Sequence, residues 1–337
     1  MSGSEGFERL LEYARHVARL TDEVIYSVVK GEPKELYDAA THLIKAGGKR
    51  LRPLATVLAG RMYGLPEALG VKAGASVEIL HNFTLIHDDI IDNDSIRRGV
   101  PTVHVKWGTP MAIVAGDLLF SKAFELLSSL ASDVKPALIV KAVQKLAWAS
   151  TTIAEGQAME FDFQNRNDVS VDEYVTMVYK KTGALFEASL VIGAALAGAP
   201  DEELAKLAAY AKNVGIAFQI QDDILGLTST EEVLGKPVYS DIREGKRTIL
   251  VIYALSRLSG REREELLKAL GNKNASREEL RRAAQLIIGC GALEYARQKA
   301  EEYLKKGLEA LESTNAVDSE AKELLKDLAL YVVKRRK

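Results

Sequence analysis

Residues 81–99, HNFTLIHDDIIDNDSIRRG, decide how the chain reads. Apolar residues at Ile79, Leu80, Phe83, Leu85, Ile86, Ile90 and Ile91 recur at helical spacing around three aspartates. With 3.6 residues per turn, Asp88 and Asp92 fall one turn apart on the same face, with Asp89 beside them. Like charges at that spacing repel and cost helix stability. The cost makes sense if a divalent cation sits among them, because hard oxygen donors on one helix face suit magnesium or calcium. Arg97 and Arg98 follow, and their planar forks match phosphate oxygens better than a lysine does. Carboxylates for a metal, then arginines for phosphate, describe a site for a metal-bridged phosphate ester. Two rival readings stand beside it. One is a solvated acidic face, against which the unusually apolar helix and the adjoining RRG both speak. The other is a calcium loop, suggested by the alternation of Asp92 and Asp94 but lacking its glycine and terminal glutamate at the required offsets.

Outward from this stretch, 337 residues allow either two domains or one large core. Charged residues make up 27% and apolar ones 47%, so the chain is expected to bury a core rather than remain disordered. A net charge of -2 gives no electrostatic case for nucleic acid. Cys290, the single cysteine, excludes an intrachain disulfide and fits a reducing, cytoplasmic setting. The opening MSGSEGFERL has no basic stretch leading into an apolar run, so it does not read as a secretory signal. The longest apolar run, residues 188–200, is too short to span a bilayer.

Helical periodicity dominates the rest. It predicts helices over 8–29, from Pro33 to the glycine stop at Gly47 and Gly48, over 54–63, and then the long helix ending in the aspartates. Further helices are expected over 110–131, 134–163, 171–198, 201–227, 246–258, 262–270, 276–288, 290–312 and 317–335. No convincing strand alternation appears. The expected architecture is all-α, one helical domain over residues 1–337 with about a dozen helices and no linker to divide it.

A second acidic element, IAFQIQDDILG at 216–226, repeats the form of the first: an apolar helix, an aspartate pair near its C-terminal end, then a loop carrying Lys236, Asp241, Lys246 and Arg247. Carboxylates there oppose the helix macrodipole, so local stability disfavours them. Finding this twice leads to the expectation of two acidic walls facing each other across a cavity.

GGKRLRP at 47–53, LIHDDIIDNDSIRRG at 85–99, KTG at 181–183, FQIQDDILG at 218–226 and GKPVYSDIREGKRT at 235–248 together resemble the ordered motif set of the trans-isoprenyl diphosphate synthases. The chain most resembles the archaeal geranylgeranyl members of that family. The resemblance implies a bundle of long helices around a deep central cavity, usually a homodimer. It also implies head-to-tail condensation of isopentenyl diphosphate with dimethylallyl, geranyl or farnesyl diphosphate, in isoprenoid and archaeal lipid biosynthesis. Carried across by position, it assigns magnesium, about two or three ions per site, to Asp88, Asp89, Asp92, Asp222 and Asp223. It gives isopentenyl diphosphate to Lys49, Arg52, His81 and Arg98. Contacts to the allylic substrate fall to Arg97, Lys181, Thr182, Gln219, Lys236 and Lys246; of these, Arg97, Lys181, Thr182, Gln219 and Lys236 also carry the chemistry.

Gly226 stands where many members have a third aspartate, which leaves Asp222 to hold the metal, Asp223 to reach it through water, and Asp241 to contribute from behind. Phe83, with Thr84 beside it, corresponds to the position that limits product length, consistent with a stop at geranylgeranyl diphosphate. Helix geometry alone turns Phe83 away from Asp88 by about 140° and does not establish that role. Farnesyl or longer products, a class I terpene cyclase, and a non-catalytic subunit of a heteromeric synthase are the alternatives.

Overall fold

The computed structural model describes residues 7–229 and 238–334. Its chain falls into two compact units: Met1–Ser150 with Leu185–Ala209 and Ala310–Leu328, and Thr151–Ala184 with Tyr210–Glu309 and Ala329–Lys337.

In the first unit, α1 (Glu8–Val28) and α2 (Lys34–Lys45) are amphipathic, and α1 buries one stripe through Leu10, Val17, Thr21 and Ile25. By contrast α3 (Leu51–Met62) buries an unbroken run from Pro53 to Gly60, as a helix apolar on every side must. Beside it lies α4 (Glu67–Asp92), which packs on α1, α3 and α6 (Thr109–Ser129). Asn93 ends α4 in the left-handed conformation with φ 55, its N–H turned back to Asp89 and Ile90. Next comes a two-stranded hairpin, β1 (Ile96–Arg97) against β2 (Val100–Pro101), and then the short α5 (Val103–Trp107). The periodicity had suggested no strand. The hairpin closes because Arg98 (φ 53) and Gly99 (φ 76) both take positive φ, the backbone of a two-residue type I′ turn.

Through α7 (Pro136–Gln164) the chain reaches the second unit, where α8 (Val171–Val178) starts at a capping box between Ser170 and Glu173. Residues 171–198 are not one helix as expected. A π-helical turn, Tyr179–Gly183, separates α8 from α9 (Ala184–Leu196). After α10 (Asp201–Thr228) come α11 (Ser240–Glu244), α12 (Ile249–Arg257), α13 (Gly260–Ala269), α14 (Arg277–Gly289), α15 (Ala292–Glu312) and α16 (Ser319–Lys334). The second unit's core gathers Tyr174, Ile216, Ile220, Ile242, Ile249 and Ile287. The all-α class is confirmed. No helix among the described residues is long and apolar enough to cross a membrane.

Within the first unit Glu203 is buried and accepts hydrogen bonds from Tyr63 Oη (2.8 Å), Asn315 N (2.7 Å), Asn315 Nδ2 (3.2 Å) and Lys206 Nζ (2.8 Å). Burial pushes its pKa up, but the bonds from Lys206, Asn315 and Tyr63 outweigh burial and hold it at about 2. A depressed carboxyl pKa contributes stability that is complete above the unfolded value of 4.5 and disappears as pH falls toward about 2. Glu203→Gln is expected to remove on the order of 2 kcal/mol at neutral pH and to flatten the acid limb, as read by urea unfolding between about pH 3 and 7. An acid limb unchanged in the variant would rule this out.

Candidate active site

In the first unit the organising residue is Arg50, which sequence reading passed over. It takes the left-handed conformation (φ 47), a placement that costs an arginine roughly 1 kcal/mol. Its buried guanidinium offsets that cost: Nε donates to Asp22 Oδ1 (2.7 Å), Nη1 to Glu78 Oε1 and Gly47 O (3.2 Å each), and Nη2 to Ile44 O (2.8 Å). Glu78 is held in turn by Asn82 Nδ2 at 3.3 Å. A signal was available, since Glu78 is a lone charge inside an apolar helix and requires a partner.

Around this anchor stand the expected diphosphate-binding groups. Arg98 Nη1 donates to Leu43 O (2.8 Å) and to Gly47 O. Arg52, in the first turn of α3, donates through Nη1 to His81 Nε2 at 3.2 Å. Burial depresses the His81 pKa well below its usual value, and Arg52, Arg98, Arg97 and Arg50 add to the effect. The imidazole is therefore neutral, and Nε2 accepts from Arg52. Arg52 Nε is buried with no hydrogen-bond partner. Asp22 and Glu78 answer the charge of Arg50, and among the described residues neither Arg52 nor Arg98 forms an ion pair. Burial pushes both guanidinium pKa values down, Glu78 opposes, and each suffers further from neighbouring arginines. The patch holds positive charge that the protein does not neutralise. Lys49 is exposed in the same loop. Gly48 is required there: a Cβ would stand 2.5 Å from Arg50 Nη1 and 3.1 Å from Arg98 Cζ.

Two turns along α4 from His81 the aspartates divide. Asp89 is buried with Arg97 Nε against it, and Arg97 Nη2 reaches Asp88 at 3.5 Å and Asp94 at 3.7 Å. Burial drives the Asp89 pKa up to about 6, with Asp94 and Asp88 adding to the rise and Arg97 opposing it. Arg97, expected at the allylic diphosphate, is thus engaged by three carboxylates, and Asp89, expected at the metal, is turned to Arg97. Asp88 and Asp92 remain partly exposed on the last turn. Among the described residues no three His, Cys, Asp or Glu side chains form a closed cage. Two oxygen donors from one turn fit magnesium, which takes one or two carboxylates and completes its shell with water and phosphate. Below them Phe83 meets His87 (4.8 Å between centroids) and Phe120 (5.3 Å), and Phe120 meets Phe124 (5.0 Å). Thr84 Oγ1 bonds back to His81 O at 2.7 Å.

Lys181, Thr182, Gln219, Asp222, Asp223 and Lys246 belong to the second unit. Lys181 and Thr182 lie on the π turn, a local widening that often accompanies function. Close packing shapes it: a Cβ on Gly156 would come within 2.8 Å of Lys180 C, and one on Gly215 within 3.0 Å of Gly183 Cα. Lys181 Nζ is paired with Glu160 Oε2 at 2.5 Å. Thr182 Oγ1 donates to Gln219 Oε1 (3.1 Å) and Gln219 Nε2 to Asp223 Oδ1 (3.1 Å). Asp223 is buried and its Oδ2 accepts from Tyr174 Oη at 2.6 Å, so both oxygens are engaged within the protein. Burial raises its pKa to about 7, helped by Asp241 and Asp222 and opposed by Tyr174 and Gln219. Asp222 is partly exposed. A Cβ on Gly226 would lie 2.8 Å from Asp241 Oδ2, so the missing third aspartate leaves room that the Asp241 carboxylate enters. Lys246 pairs with Glu244 at 2.8 Å. Lys236 lies outside the described residues.

The helix arrangement and the ordered motifs define an all-α protein of the isoprenoid synthase fold. The Polyprenyl synthetase family model matches residues 33–287, and the chain belongs to that family. It is 46% identical to the geranylgeranyl diphosphate synthase of Sulfolobus acidocaldarius over 96% of this chain and 98% of that one. It is 45% identical to the geranylfarnesyl diphosphate synthase of Aeropyrum pernix over 94% and 100%. The structure of a Caulobacter crescentus polyprenyl synthase complexed with calcium and isoprenyl diphosphate has a TM-score of 0.89 and 36% identity, covering 98% of each chain. The family is generally Mg2+-dependent.

Gly156→Ala is expected to displace the π turn, lowering stability by about 1–3 kcal/mol, as for other overpacked sites. Thermal unfolding reads it, and a melting temperature equal to that of the parent would contradict the packing account.

Proposed function

We propose that the chain is a geranylgeranyl diphosphate synthase, extending dimethylallyl, geranyl and farnesyl diphosphates with isopentenyl diphosphate. The observation that carries this reading is that α4 bears two chemically different anion sites. His81 stands with Arg52 and Arg98 in a cationic patch free of metal-binding carboxylates, and seven residues later Asp88 begins the carboxylate pair. A class I cyclase ionises one diphosphate and has no use for the first site; a condensing enzyme must hold a second diphosphate that does not ionise.

In this reading Lys49, Arg52 and Arg98 bind isopentenyl diphosphate, and His81 orients Arg52. Asp88 and Asp92 in the first unit, and Asp222 in the second, would hold magnesium, which would neutralise the departing diphosphate as a Lewis acid. Asp241, in the space above Gly226, supports Asp222. Asp89 fixes Arg97, and Arg97 relieves the repulsion between Asp88 and Asp89. Lys181, with Lys236 and Lys246, adds positive charge on the allylic diphosphate. Thr182 and the Gln219 amide oxygen face the allylic carbon as it becomes cationic. Apolar walls exclude the water that would quench it. A second copy covers the exposed Ile113, Val114 and Phe120 on α6, giving a homodimer, and the enzyme is cytoplasmic.

Product length follows from the aromatic wall Phe83–Phe120–Phe124, of which sequence reading named only Phe83. Geranylgeranyl is the favoured product in this reading, with Phe83 in edge contact with Phe120 as the barrier to further elongation.

Purified protein with labelled isopentenyl diphosphate, each primer and magnesium is expected to give geranylgeranyl diphosphate on chromatography. No hydrocarbon should form from geranylgeranyl diphosphate alone, and hydrocarbon without elongation would establish a cyclase instead. Asp92→Ala should cost at least about a hundredfold in turnover with unfolding unchanged; near-parental activity would defeat the metal assignment. Phe83→Ala should lengthen the product by one or more isoprene units, and an unaltered product would remove Phe83 from the wall.

A further inference from the structure

Asp223 lies beside the aspartate assigned to magnesium, yet its geometry serves another purpose. Its Oδ1 accepts from Gln219 Nε2 at 3.1 Å and its Oδ2 from Tyr174 Oη at 2.6 Å. The Tyr174 ring is fully buried in the second unit's core, so the hydroxyl has a fixed position. A primary amide is nearly symmetric in shape, and packing alone does not distinguish its oxygen from its nitrogen. As a carboxylate Asp223 makes the distinction, because the oxygen it then presents can only accept and so demands the NH2 group. The Gln219 oxygen is then turned toward Thr182 Oγ1, which donates to it at 3.1 Å.

We propose that Tyr174 and Asp223 are positioning residues that hold the Gln219 amide with its oxygen, not its NH2 group, toward the allylic carbon. This rests on the reading that Gln219 and Thr182 face that carbon. Reversing the amide would replace the negative end of a dipole with the positive end at the place where positive charge develops, in a dry site where such dipoles act strongly. Tyr174 touches no reacting atom in this scheme and acts only through Asp223.

The substitutions Tyr174→Phe, Asp223→Asn and Gln219→Leu separate the possibilities. In Asp223→Asn the Tyr174 hydroxyl still donates to the side-chain oxygen, which leaves the new NH2 group facing Gln219 and reverses its amide. In Tyr174→Phe with Asp223→Asn that constraint is lifted, and the asparagine is again able to present oxygen.

The expected results are a kcat loss of about tenfold for Tyr174→Phe and about a hundredfold for Asp223→Asn, with KM for both substrates within about twofold. The double variant should recover kcat above Asp223→Asn alone, a rescue that a merely structural role does not produce. Calorimetric titration of an ammonium analogue of the allylic cation, with magnesium and inorganic diphosphate, should show about tenfold weaker binding in each single variant; a neutral isostere should bind unchanged. Should Gln219→Leu bind the ammonium analogue as the parent does, the reading of Gln219 itself fails. Should Gln219→Leu weaken that analogue while Tyr174→Phe and Asp223→Asn do not, or should the double variant show no rescue, the positioning inference is overturned. If Tyr174→Phe does not fold, the comparison of Asp223→Asn with Gln219→Leu decides the matter.

Discussion

The buried contact of Arg50 with Asp22 and Glu78 is the constraint on which the first unit's chemistry depends. It joins α1, α4 and the glycine loop ahead of α3. Removing one partner of such a pair strands a charge in a low-dielectric interior, typically at a cost of about 3–5 kcal/mol. Its consequence reaches further than stability. Gly47 O accepts from both Arg50 and Arg98, so the backbone that Arg50 fixes is the same backbone that aims Arg98. Because Arg50 consumes the nearby carboxylates, Arg52 and Arg98 keep charge for a ligand. A cationic patch normally repels itself apart; here one arginine is used as scaffold so that two others remain available.

Charge is handled differently at the other end of α4. Three aspartates within five positions are expected to repel, and a metal is one source of relief. The structure contains another in Arg97, delivered by the tight turn at Arg98 and Gly99. The hairpin thereby sends two consecutive arginines to opposite tasks, Arg97 to the acidic end and Arg98 to the basic patch. Arg97 closes β1 while Arg98 opens the turn in the left-handed conformation, and that change of backbone direction accounts for the split. Of the aspartates, Asp89 follows Arg97 into the interior, and Asp88 and Asp92 stay partly exposed.

Much of this was legible in the sequence. Helix periodicity placed the apolar α3 and α4, the glycine pair at 47–48 marked a stop, and the recurring aspartate pairs drew attention to the ends of α4 and α10. What escaped reading has a common physical cause. Sequence spacing reports which residues share a helix face, and partners separated by many residues leave no such trace. Arg50 and Asp22 are 28 positions apart, Tyr174 and Asp223 are 49 apart. The π turn escaped for a related reason, since it fits against Gly156 and Gly215, distant in sequence, whose missing Cβ atoms leave room for it. The family resemblance implies Asp89 and Asp223 as ligands beside Asp88 and Asp222, with Asp223 reaching the metal through water. Adjacent helical positions differ by about 100° in direction, so when one of the pair faces outward its neighbour faces the interior or its flank.

That last geometric fact explains why the doublet occurs in both units. An exposed aspartate keeps its direction only where its neighbourhood is fixed, whether in the last turn of α4, where it opposes the macrodipole, or within α10. In each case the neighbouring aspartate supplies the fixing: Asp89 through Arg97, and Asp223 through Tyr174 and Gln219. The buried member therefore carries the raised pKa while the exposed member carries the role proposed for metal. The two doublets follow one rule with different partners. At the first, the buried carboxylate anchors a cation that steadies its neighbours. At the second, it anchors an amide whose direction matters. A pair of identical residues thus divides into a partly exposed carboxylate and a buried one that holds the surrounding side chains in place.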